Sequence, residues 1–87
     1  PVASDDELTT GLKKRITEIV TSISDELTLH DFRVVPGPSH TNLIFDVVVP
    51  FDSKLSFDEI KSGIDSAVES MNDGIYYAVV HFDRPLA

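Results

Sequence analysis

Seven consecutive residues, Leu43-Ile44-Phe45-Asp46-Val47-Val48-Val49, are apolar at every position but Asp46. Their β-branched bias suits a pleated strand, and a nearly continuous apolar strand belongs in the middle of a sheet with both faces covered. This stretch constrains the chain more than any other. The residues before it, Pro36-Gly37-Pro38-Ser39-His40-Thr41-Asn42, are turn formers that no regular element tolerates together. The half-polar run Thr28–Val35 precedes them, so the segment from Leu27 to Pro50 reads as two strands joined by a loop.

Helical periodicity flanks this pair. Leu8, Leu12, Ile16, Ile19, Val20 and Ile23 recur at helical spacing and predict a first helix over about Asp5–Ser24, opened by the S-x-x-E capping box Ser4-Asp5-Asp6-Glu7. Lys13, Lys14 and Arg15 fall on its other face, where a solvated surface is expected. A second box, Ser56-Phe57-Asp58-Glu59, starts a helix whose face is Phe57, Ile60, Ile64, Ala67, Val68 and Met71 and which runs to about Asn72, with Asn72-Asp73-Gly74 as the stop and Gly74 able to take the left-handed conformation. Ile75–Phe82 closes the series as a third strand, with Tyr77, Val79 and His81 opposite Tyr76, Ala78, Val80 and Phe82. In the first strand, alternation places His30, Phe32 and Val34 on one face and Asp31, Arg33 and Val35 on the other.

The order is αββαβ. The central strand, second helix and last strand form a βαβ unit with parallel strands. The expected fold class is α+β: a ferredoxin-like open-faced sandwich lacking its first strand, a three-stranded mixed sheet with two helices on one face.

Eighty-seven residues suffice for one small domain with a modest core. The net charge of −8, from 15 acidic against 7 basic side chains, opposes nucleic acid or an anionic membrane as partner, because phosphates would be repelled. Without cysteine there is neither a disulfide framework nor a thiolate metal site. No stretch has the length of a membrane span, and the chain opens on Pro1, as a piece of a longer protein would. It carries no G-x-S-x-G, no phosphate-cradling glycine loop and no H-E-x-x-H, so a non-enzymatic role is expected.

Three histidines and the carboxylates remain as sources of chemistry. His81 and Asp83, at i and i+2 in one strand, project from the same face, a spacing that suits two ligands on one cation. His30 lies on another strand, and His40 sits in the loop between Ser39 and Thr41. Imidazole with carboxylate and no thiolate suits zinc or a similar divalent ion. Whether His30 approaches His81 and Asp83 depends on register or on a second subunit. The plainer alternative is a strand-end histidine held by a carboxylate.

The segment Leu29-His30-Asp31-Phe32-Arg33-Val34 resembles the start of the first strand in the C-terminal cytosolic domain of the cation diffusion facilitator family, the zinc, iron and manganese efflux transporters. That domain typically opens this strand with His-Asp-Leu-Arg, caps its second helix with a Leu-Ser pair, and ends its third strand with His-x-Asp-Pro. Here the matching elements are His30-Asp31-Phe32-Arg33, Leu55-Ser56-Phe57-Asp58-Glu59 and His81-Phe82-Asp83-Arg84-Pro85, in that order along nearly the whole chain. Residues Asp31–Asp46 further resemble an extra C-terminal module that some bacterial members carry, with Pro1-Val2 as the tail of the preceding domain. Zinc-binding members often add a histidine in the second strand and another early in the second helix; the positions matched to them hold Val48 and Lys61.

The resemblance implies a dimerising, regulatory cytosolic domain of a divalent-cation efflux transporter, with His30, His81 and Asp83 as the expected metal ligands and His40 as a fourth or completing the site across a dimer. It would lie on the cytoplasmic side of the membrane, with the transmembrane and neighbouring cytosolic domains as partners. A free-standing metallochaperone-like or small-molecule-sensing domain of the same fold is the alternative.

With both helices on one face, Ile44 and Val48 point away from them, and the expected homodimer pairs through Ile44, Asp46 and Val48. Asp46 must then sit at a rim, meet a cation such as Arg33, or help bind a metal ion.

Overall fold

The computed structural model describes residues 2–86, with side chains from residue 7 on. Five elements follow one another: α1 (Val2–Ile23), β1 (Thr28–Pro36), β2 (Thr41–Val48), α2 (Phe57–Glu69) and β3 (Tyr76–Asp83). The sheet order is β1-β2-β3, with β1 antiparallel and β3 parallel to the central β2. This is the αββαβ ferredoxin-like arrangement that the periodicities predict.

The α1 backbone starts at Val2. Ser4 therefore lies within the helix rather than at its cap, and the side chains of that first capping box before Glu7 fall outside the described residues. The second box forms as expected. The Glu59 amide donates to Ser56 Oγ at 3.1 Å and the Ser56 amide to Glu59 Oε1 at 2.9 Å, satisfying two end groups of α2 reciprocally. That helix stops at Ser70, earlier than Asn72, and no glycine takes a positive φ. Ser70 itself ends it, its hydroxyl donating to the Ala67 carbonyl at 2.6 Å.

The core lies between the helices and one sheet face. Leu43, Phe45, Val47 and Val49 are fully buried there, under Leu12, Ile16 and Val20 of α1 and Ile60, Ile64 and Val68 of α2. Each such side chain stabilises the fold by roughly 1.5–3 kcal/mol. The helices meet at Gly63, where an added Cβ would stand 3.1 Å from Ile23 Cδ1.

Arg15 is not merely solvated. Its guanidinium donates to both carboxylate oxygens of Asp73, at 2.9 and 3.4 Å, and so ties α1 to the turn before β3. That hydrogen bond holds the Asp73 carboxyl below the usual carboxylate range. Any stability it gives is present near neutral pH and is lost as pH falls through that lowered value.

A bulge reorganises the first strand. Between His30, opposite Asp46, and Arg33, opposite Ile44, β1 holds two residues where β2 holds one. Asp31 takes a left-handed φ of 56°, which aspartate tolerates better than bulky residues. Strict alternation would put His30 with Phe32 and Val34. The extra residue instead leaves Phe32 and Val34 packed on the core and turns His30 to the helix-free face with Arg33 and Val35.

Candidate metal site on the helix-free face

Lateral register places three side chains in one row across this open face: His30 on β1, Asp46 on β2 and His81 on β3. The next row is Thr28, Val48 and Asp83. His81 Nδ1 stands 3.7 Å from Asp46 Oδ1 and 3.4 Å from Asp83 Oδ2. One ligand atom from each of the three residues lies within 4.8 Å of the others. Tetrahedral zinc ligands, bound at about 2.0–2.1 Å, sit about 3.3 Å from one another. The three groups are thus spaced for an ion between them. Two carboxylates so close together also make a local charge that attracts a cation.

Each of the three side chains is held by its strand. Asp46 is the only polar side chain in Leu43–Val49, and it is directed outward because its neighbours Phe45 and Val47 are claimed by the core. Asp83 is the last residue of β3, and the chain beyond it is clamped. The Arg84 guanidinium donates to the Pro50 carbonyl at 2.8 Å and lies 4.7 Å over the Phe57 ring. Phe57 in turn stacks on Phe82 at 4.9 Å, so Asp83 sits between two anchored residues. A guanidinium over an aromatic face adds roughly 0.5–1 kcal/mol at an exposed site.

Of the residues expected as ligands, His81 and Asp83 come together, and Asp46, expected at the dimer face, joins them. His30 is the strand partner of Asp46 but is not among the gathered groups. His40 lies elsewhere. Its ring packs edge-on against Tyr77 at 4.8 Å, with Nδ1 3.1 Å from Ser39 Oγ. Tyr77 is four residues from His81 along β3, roughly 13 Å, so His40 cannot share an ion with His81 of the same chain.

Register also fixes which second-strand position is aligned with the two histidines. The residue in line with His30 and His81 is Asp46, one row away from Val48. Lys61 is no neighbour of the cluster. It belongs to α2, on the opposite face, where Nζ binds Asp65 at 2.7 Å. Among the described residues Asp46 makes no ion pair with Arg33; both border an open depression at the bulge with Asp31 and Phe32.

No family model, curated protein or solved structure matches this chain. No helix among the described residues is long and apolar enough to cross a membrane.

Proposed function

We propose that this chain is the regulatory, dimerising domain of a divalent-cation efflux transporter of the cation diffusion facilitator type, and that it binds the cation through Asp46, His81 and Asp83. The observation that carries this reading is the convergence of one imidazole and two carboxylates on the open face. The αββαβ order and the ordered run of His-Asp-Phe-Arg, Leu-Ser and His-x-Asp-x-Pro elements lend it support. Imidazole favours zinc and its neighbours in the transition series over calcium or magnesium. Three protein ligands leave a fourth tetrahedral position for water or for a group from a second chain.

Calorimetric titration of the wild-type chain with zinc is the direct test. Saturable binding of one ion per chain is expected, weakening in acid because imidazole coordinates only as the neutral ring. A flat titration at neutral pH would remove the cation-binding reading.

The same face carries the apolar surface for self-pairing. Val35, Tyr77 and Val79 are about half exposed there, around a half-buried Ile44. Such a patch is a liability in water and is commonly covered by a two-fold copy of itself. In sedimentation equilibrium the wild type should exceed the monomer mass and Ile44→Glu should be lighter. Equal masses would remove this face as a self-pairing surface.

A further inference from the structure

The two edges of the sheet are not equivalent. The edge at β1 is interrupted by the bulge at Asp31, carries Arg33 and ends at Pro36, all devices that discourage an incoming strand. The edge at β3 has none of them. From Tyr76 to Phe82 it contains no proline, glycine, bulge or lysine, and Tyr76-Tyr77-Ala78-Val79-Val80 is uncharged and strong in β propensity.

Hydrogen-bond parity shows which backbone groups this edge presents. The Thr41 amide donates to the Ile75 carbonyl at 2.9 Å and the Val49 amide to the Asp83 carbonyl at 2.8 Å. In a parallel ladder this phase turns the N–H and C=O of the odd-numbered β3 residues toward β2. Those of Tyr76, Ala78, Val80 and Phe82 therefore point outward. Among the described residues, none outside the sheet donates to them or accepts from them.

We infer that β3 pairs antiparallel with β3 of a second copy, about a two-fold axis at Val79, joining two sheets into one of six strands. Register about that axis places Tyr76 opposite Phe82 of the second copy, and Ala78 opposite its Val80. Every outward N–H and C=O between these residues then finds a partner on both chains. Side-chain faces match as well. Val79 meets its own copy and Tyr77 meets His81 on the open face, while Tyr76 meets Phe82 on the helix side. Asp83 falls opposite Ile75, so no carboxylate meets a carboxylate along the ladder. This self-complementarity singles out a second copy as the occupant. The edge is a different surface from the open face, so the inference stands whether or not zinc binds.

Amide hydrogen exchange on the wild-type chain tests it. The amides of Tyr76, Ala78, Val80 and Phe82 should exchange fast when dilute and slow with concentration. A hundredfold rise in concentration above the dissociation constant lowers the monomer fraction, and hence their rate, about tenfold by mass action. Pairing through the open face alone would leave these four amides unprotected. Ala78→Pro removes an outward N–H without touching a β2–β3 bond and should abolish the concentration dependence. Val79→Lys, which sets like charges together on the axis, should do the same without a backbone change. Rates at these amides that do not change with concentration in the wild type, or slowing that persists in both variants, would overturn the pairing.

Discussion

Replacing Phe45 with alanine should cost about 3–5 kcal/mol of folding stability. Phe45 is fully buried at the centre of the middle strand, and its ring lies 6.0 Å from that of Phe32. Deleting it removes apolar transfer energy and leaves a cavity that cannot collapse, because β2 is held by partners on both sides. A chain of 87 residues has a total stability of roughly 4–13 kcal/mol at 0.05–0.15 kcal/mol per residue. The variant should therefore be marginal or unfolded, where Val79→Ala on the open face should cost far less. Urea denaturation followed by far-ultraviolet circular dichroism measures both. A Phe45→Ala loss below about 1.5 kcal/mol would contradict the packing, since that is the floor for burying such a side chain.

Removing the His81 imidazole should have the other large effect. It stands near both carboxylates, and without it Asp46 and Asp83 would lack the imidazole that favours zinc over harder ions. Even loss of a supporting hydrogen bond to a ligand typically costs about 10–100-fold in metal affinity, so loss of a ligand should cost at least that. His81→Ala and Asp46→Asn should both lose binding in the calorimeter, and His40→Ala should bind as the wild type does. The decisive comparison is between Asp46 and His40. A His40→Ala variant that loses zinc while Asp46→Asn retains it would place the ion at the loop, on a site assembled between two chains.

The element order was legible because its signals are local. Helical spacing along Leu12, Ile16 and Val20, the Ser56–Glu59 box, and the apolar run Leu43–Val49 each need only a few neighbouring residues to be read. Because β2 is buried on its core face, its pleat also determined that Asp46 would point the other way. His81 and Asp83 were legible as a pair for the same reason, two residues apart on one strand.

What the tertiary structure alone decided depends on register and on one backbone angle. A single left-handed residue at Asp31 reversed the face of His30, and no period-two rule registers an inserted residue. Asp46 and His81 are 35 positions apart, and their meeting follows from the parallel alignment of β2 with β3 across a helix. The outward phase of the Tyr76, Ala78, Val80 and Phe82 amides likewise comes from the ladder's hydrogen bonds. Alternation along a strand tells faces apart, but lateral neighbours and free edges exist only once strands are aligned.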